Sequence, residues 1–280
     1  MKNHEELRGG FRTHENEIES ATTVPSSEEL VQAWQKYHDK DTVFELSNGM
    51  FGVYELPDKQ PSAIISLDLC EVLRETGPSL TRMYGHSDTD FLHHYGEYYG
   101  DAVLGEDAQV KRSYLLPLLM QYDHVQPVPF SDSIAAFMRR WRANGVYIIA
   151  NTSTLPGCEI DTVRFLSKHY SQTMQGILLP RNHDGNGTTT KAGILQYTAE
   201  QISARTNYDM QNIPAVAIED AHHHAIGYVE SPADVQVIMP AYSWNEPLEG
   251  IEDITRVEQQ LGTLDSFIAA DNYLVERGIL

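Results

Sequence analysis

The stretch PFSDSIAAFMRRWRANGVYIIANTS, residues 129–153, decides the fold. Within it Ile134, Ala135, Phe137, Met138 and Trp141 recur at the three- and four-residue steps of one helix face. Gly145 supplies the left-handed residue on which such helices commonly end. Val146–Ala150 follows as a short, unbroken apolar run, the mark of a strand covered on both faces. Working outward, Ala63–Leu69 is a second such run, broken by Asp68, and 158–170 reads as a helix leading to a strand at 176–180. A Gly/Asn/Thr-rich loop at 184–190 precedes a helix from Lys191 to Arg205. Ala215–Ile218 and Val235–Met239 are further buried strands. Strands alternating with helices predict an α/β fold in three layers, a Rossmann-like parallel sheet covered on both faces. Ligands in such sheets bind beyond the carboxyl ends of the strands.

The flanks have a different texture. Residues 1–27 are polar and Glu-rich and read as a flexible acidic arm. In 28–60, Ser26 and Ser27 cap a helix reaching about His38, and alternating residues around Asn48-Gly49 in TVFELSNGMFGVYEL (42–56) form a hairpin. This pair is expected as a structural appendage to the core, which occupies 61–73 and 127–240. The segment 241–280 reads as a C-terminal helical extension, broken at Glu249-Gly250 and Gly262-Thr263.

Composition narrows the partners. The chain of 280 residues carries 40 Asp and Glu against 20 Lys and Arg, a net charge of −20. Binding to duplex nucleic acid needs cations to displace counterions from phosphates, so that class is excluded. With 41% hydrophobic residues a core can form. No run approaches the roughly 18 apolar residues of a spanning helix, and the first twenty residues lack an apolar leader segment. A cytoplasmic location is therefore expected. Cys70 and Cys158 provide neither a disulfide framework nor a CxxC metal signature.

Read at the strand ends alone, the sequence presents Asp68, then Asn151-Thr152-Ser153, then Lys191 at a helix start, then Glu219-Asp220. Carboxylates hold a hard cation through oxygen, and one can attack phosphorus covalently. Hydroxyls, backbone N–H groups and an ammonium neutralise transferring oxygens. These are the parts of a Mg²⁺-assisted phosphoryl-transfer site.

Four segments, SLDLCEVL (66–73), VYIIANTST (146–154), TTTKAGIL (188–195) and AVAIEDAHHH (215–224), resemble in order the four motifs of the haloacid-dehalogenase-like superfamily. The resemblance spans about residues 60–240. It implies a HAD-like core with a small helical cap, 74–126, inserted after the first strand. It also implies a phosphatase (a hydrolase) that takes a small phosphorylated substrate, with Mg²⁺ as cofactor. Carried over, Asp68 is the nucleophile that forms an aspartyl-phosphate, and Lys191 neutralises charge beside it. Thr152 binds the phosphoryl oxygens, with Asn151 or Ser153 as alternative registers. Asp220 binds Mg²⁺ and Glu219 is a ligand or an orienter. The Cys70 backbone carbonyl completes the metal site beside Asp68.

Cys70 departs from the family, whose phosphatases carry a second Asp there as general acid and base, and Glu71 replaces a usual Gly. A thiol with an ordinary pKa of about 8.5 is a poor proton donor in that role. Three readings follow: Cys70 or Glu71 donates in altered geometry, the leaving group needs little protonation, or the protein has lost turnover and serves as a ligand- or partner-binding module. A Cys-x₅-Arg nucleophile loop is excluded by Thr76. In the expected cap, Phe91, Tyr95 and Tyr98 read as its own packing, while Tyr84 and His86 stay open to a substrate role. A cap of this size is compatible with a nucleotidase-like substrate. His222-His223-His224 point in different directions from one helical turn, so a zinc site is not expected. Self-association, if it occurs, would run through the N- or C-terminal extension.

Overall fold

A computed structural model describes residues 26–36, 42–47, 50–83, 125–153, 157–180, 190–242, 245, 248 and 250–280. In chain order the elements are α1 (Ser27–Gln35), β1 (Thr42–Ser47), β2 (Met50–Glu55), β3 (Ala63–Leu67), β4 (Arg74–Glu75) and α2 (Thr76–Met83). They continue with β5 (Gln126–Pro127), α3 (Ser131–Ala143), β6 (Val146–Asn151), α4 (Glu159–His169), β7 (Gly176–Pro180) and α5 (Lys191–Thr206). The last are β8 (Ala215–Ile218), α6 (His222–Val229), β9 (Val235–Pro240), β10 (Ile254–Val257) and α7 (Leu264–Glu276).

The main sheet has eight strands in the order β1-β2-β7-β6-β3-β8-β9-β10. From β7 to β10 every pairing is parallel. β3 lies at the centre and all five of its residues are buried. Its alternating side chains feed two separate apolar layers. Ala63, Ile65 and Leu67 pack with Val146 and Ile148 against Leu30 and Trp34 of α1, Met138 and Trp141 of α3, Leu166 of α4 and Phe267 of α7. Ile64 and, from β6, Tyr147 and Ile149 pack against Leu195 and Ile202 of α5 and Tyr228 of α6. The fold is thus a three-layer α/β sheet of Rossmann-like type, mostly parallel. No helix among the described residues is long and apolar enough to cross a membrane.

The sequence signals act locally as expected. Ser26 Oγ accepts the Glu29 N–H at 3.3 Å and Glu29 Oε2 accepts the Ser26 N–H at 2.8 Å, a capping box that starts α1. Gly145, at φ +88°, ends α3. On α3, Trp141 stacks on Phe267 with ring centroids 5.8 Å apart and donates its Nε1 proton to Asp271 Oδ1 at 2.9 Å.

Two segments differ from expectation. The hairpin is not set apart from the core: β2 pairs antiparallel with β7, from Met50↔Pro180 to Tyr54↔Gly176, so the hairpin extends the main sheet. A Cβ at Gly176 would stand 2.7 Å from Tyr54 Cβ, so the close approach of these strands requires glycine there. The segment 241–280 is not wholly helical, because Ile254–Val257 forms β10 and pairs parallel with β9. β9 offers this segment a partner at the edge of the sheet, and that pairing outweighs the weak local pattern. Of the expected cap, β4 and β5 pair antiparallel (Arg74↔Pro127, Glu75↔Gln126), which brings the ends of the insertion side by side. Residues 84–124, with Tyr84, His86, Phe91, His93, His94, Tyr95, Tyr98 and Tyr99, lie outside the described residues, as do 1–25 of the acidic arm.

Candidate active site

Asp68 sits one residue past β3, where its N–H donates to Ile218 O at 2.9 Å and prolongs the β3–β8 ladder. This fixes its carboxylate at the carboxyl end of the central strand, and the residue is buried. The chain then turns sharply. Leu69 O accepts the N–H groups of both Leu73 and Arg74, while Val72 and Leu73 return to the core. Glu71 adopts φ +55°, the left-handed conformation that favours glycine, which explains why a glycine suits this position. Its carboxylate is compensated locally: Oε1 accepts the Gly77 N–H of α2 at 2.6 Å. Burial pushes the Glu71 carboxyl up to about 8, against the pull of that N–H.

Lys191 opens α5 behind the cap Thr190, whose Oγ1 accepts the Gly193 N–H at 3.0 Å. Its ammonium is 2% exposed and lies 2.6 Å from Asp68 Oδ1 and 2.7 Å from Glu219 Oε2. Burial opposes the charged form of Lys191, but the Asp68 and Glu219 carboxylates outweigh it and hold its pKa well above the ordinary value. Glu219 follows β8 and uses both oxygens, since Oε1 accepts the Ala221 N–H at 3.2 Å. Burial, then the neighbouring Asp68 charge, pushes Glu219 up to about 8 despite Lys191. Asp220 is likewise buried, and burial followed by Asp68, Glu219 and Glu71 holds it well above the usual carboxylate range.

Asp68, Glu219 and Asp220 each bring one carboxylate oxygen to within 4.8 Å of the others. Lys191 bridges two of these acids, Asp68 and Glu219, and burial first, then mutual repulsion, raises Glu219 and Asp220. The donor set is all hard oxygen, which matches Mg²⁺ or another hard divalent cation rather than a thiolate- or imidazole-seeking metal.

The second segment resolves in an informative way. Asn151 is fully buried at the end of β6, and its Nδ2 donates to Lys191 O at 2.9 Å and to Tyr228 Oη at 3.0 Å. Ser66 Oγ lies 2.8 Å from the same Tyr228 hydroxyl. Asn151 is therefore turned beneath the site, where it ties the start of α5 to β6. Its Oδ1 is buried without a hydrogen-bond partner among the described residues. Thr152 is buried, its N–H donating to Leu178 O at 3.0 Å, and Ser153 is half-buried with Oγ 3.5 Å from His224 Nε2. The three histidines do open α6, and His224 is the one seen against Ser153.

Cys70 is half-buried, and its Sγ accepts an N–H from Arg74 Nη2 at 3.3 Å. The other arm of that guanidinium, Nη1, donates to Thr162 Oγ1 at 3.4 Å. Sequence reasoning missed Arg74, Ser66 and Tyr228, together with Tyr242, Asn245 and Arg256 described below. Of these only Ser66 falls in a quoted motif segment, and the local sequence pattern marks none of the others.

No protein-family model matches the chain, and no curated protein does. Among solved structures it is similar to one described as a haloacid dehalogenase-like hydrolase from Burkholderia xenovorans LB400, at 13% identity and a TM-score of 0.35, over 73% of this chain and 97% of that one. A likeness of that degree adds nothing to the strand order and the site geometry.

Proposed function

We propose that the chain is a Mg²⁺-dependent phosphohydrolase of haloacid-dehalogenase-like type, with Asp68 as its nucleophile and a small phosphomonoester as its substrate. One observation carries this reading: a buried lysine bridging Asp68 and Glu219, with Asp220 alongside, at the carboxyl ends of β3 and β8. Asp68, Asp220 and the Cys70 carbonyl would hold the cation. Glu219, with both oxygens engaged by Lys191 and the Ala221 N–H, orients the lysine. When bound, the cation supplies positive charge to the carboxylates and to the phosphoryl oxygens.

The remaining work falls to the protein. Asp68 attacks phosphorus as the bond to the leaving oxygen breaks, and water then cleaves the aspartyl-phosphate to regenerate the carboxylate. Lys191 pairs with the Asp68 carboxylate and faces the charge that develops on the phosphoryl oxygens. Thr152 and Ser153 are the hydroxyls for those oxygens; Asn151 is a positioning residue, because its amide protons are spent on Lys191 O and Tyr228 Oη. No carboxyl at position 70 protonates the leaving group, and general acid catalysis is worth about 10²–10⁴ in rate. Aryl phosphates, whose leaving groups depart as stable anions, are therefore expected to react far faster than alkyl ones.

A second reading is favoured by one contact. Arg74 engages the Cys70 thiol at 3.3 Å, in the position where a phosphatase presents its acid. A protein without turnover, serving as a ligand- or partner-binding module, would show this arrangement too. Phosphate release from aryl phosphates, sugar phosphates and nucleoside monophosphates, with and without Mg²⁺, separates the two. Activity that disappears in Asp68→Asn supports the enzyme. Silence in the wild type with activity in Cys70→Asp supports the impaired scaffold.

A further inference from the structure

The loop after β9 bears no motif and takes no part in the roles above, yet it touches both turns that carry the site's acids. We propose that Tyr242, Asn245 and Arg256 are positioning residues, a clamp that sets the spacing between the Asp68–Glu71 turn and Asp220. The proposal rests on the cation-binding reading of that site.

Asn245 is fully buried and its side chain is saturated. Its Nδ2 donates to Asp220 O at 3.2 Å and to Pro240 O at 2.9 Å, tying the turn after β8 to the end of β9. Its Oδ1 accepts the Tyr242 N–H and the Arg256 Nε–H, both at 3.1 Å. Two carbonyls on one side and two N–H groups on the other admit a single amide orientation. A carboxylate could not replace it, since an anionic oxygen would then face two carbonyls.

Tyr242 reaches the opposite way. Its Oη donates to Glu71 O at 3.2 Å, the carbonyl of the residue held at φ +55°. Arg256 ties the two together, because its Nη2 donates to Tyr242 O at 3.2 Å while its Nε serves Asn245. Arg256 comes from β10, and Ala241 N–H donates to Val257 O at 2.9 Å to anchor the loop on that strand. The edge strand thus delivers the side chain that orients the clamp. Outer groups of this kind fix first ligands to within fractions of an ångström, and their loss typically weakens metal binding about 10–100-fold.

The test uses the full chain without substrate. Mg²⁺ is titrated into wild type, Asn245→Ala and Tyr242→Phe, read by calorimetry and by the Mg²⁺-dependent rise in unfolding temperature. Asn245→Ala is expected to weaken Mg²⁺ binding about tenfold or more. Tyr242→Phe, which removes one hydroxyl and keeps the ring, is expected to weaken it several-fold and carries the test if Asn245→Ala fails to fold. Arg140→Met, which breaks the remote contact of Arg140 with Asp271 at 2.9 Å, lowers the unfolding temperature while leaving Mg²⁺ affinity unchanged. Clamp variants that bind Mg²⁺ as wild type does overturn the clamp alone. A wild type that binds no Mg²⁺ removes the cation site itself, and the clamp with it.

Discussion

Replacing Lys191 by Met tests the electrostatics of the site directly. The ammonium stands 2.6 Å from Asp68 Oδ1 and 2.7 Å from Glu219 Oε2. At an effective dielectric of about 20, each contact is worth about 6 kcal/mol of attraction before the cost of drying the charges. That desolvation is large for a side chain 2% exposed, which is why the net cost of removing one partner of a buried pair is nearer 3–5 kcal/mol. Methionine has nearly the length of the lysine stem, so the loss is electrostatic rather than a cavity. Urea unfolding at neutral pH without divalent cations should show a drop of about 3–5 kcal/mol with little change in the denaturant slope. Buried carboxylates relieved of their ammonium bind protons more readily in the folded than in the unfolded state. The deficit should therefore shrink as pH falls from 8 towards 5, and millimolar Mg²⁺ should shrink it too, by supplying the missing charge. An unfolding curve for Lys191→Met that overlays the wild type at neutral pH would refute the reasoning, since Asp68, Glu219 and Asp220 could not then be depending on Lys191.

Three further outcomes follow from separate parts of the molecule. Thr152→Val, which removes a hydroxyl while keeping its shape, should lower phosphate release about 10²–10³-fold with the unfolding midpoint little changed. Gly176→Ala places a methyl 2.7 Å from Tyr54 Cβ and should cost about 1–3 kcal/mol in chemical unfolding, with Mg²⁺ affinity unaltered because the β2–β7 contact is remote from the acids. Burial pushes the Cys158 thiol up to about 12, so it carries almost no thiolate at pH 8. Native alkylation followed by mass spectrometry should label Cys70 alone, and both thiols only after denaturation; native labelling of Cys158 would count against its burial.

What the sequence disclosed depended on how local each cause was. β6 was legible because Val146–Ala150 is apolar without interruption and follows a helix closed by Gly145. Asp68, Lys191 and Glu219-Asp220 were legible as a set because each falls just past a buried strand or at a helix start. β10 was not: Ile254-Thr255-Arg256-Val257 has one buried residue, and its strand conformation comes from β9 rather than from its own pattern. The docking of β2 on β7 was equally hidden, since Asn48-Gly49 dictates a hairpin but not what its outer edge pairs with. The direction of the Asn151 amide was hidden as well, because its partner Tyr228 lies 77 residues away in the chain. At Cys70 the missing carboxyl was visible in one letter, whereas the guanidinium resting on its sulfur was not.

The ribbon of β4 with β5 has a consequence for how such a protein changes over time. Because Arg74 faces Pro127 and Glu75 faces Gln126, the chain leaves the core and returns to it through one doorway two residues wide. Whatever lies between is, to the sheet, a detour with its ends already joined, and lengthening a joined loop costs only a logarithmic term, about 0.6 kcal/mol per doubling. Material can be added to or deleted from that detour while the strand ends bearing Asp68, Lys191 and Asp220 stay where they are.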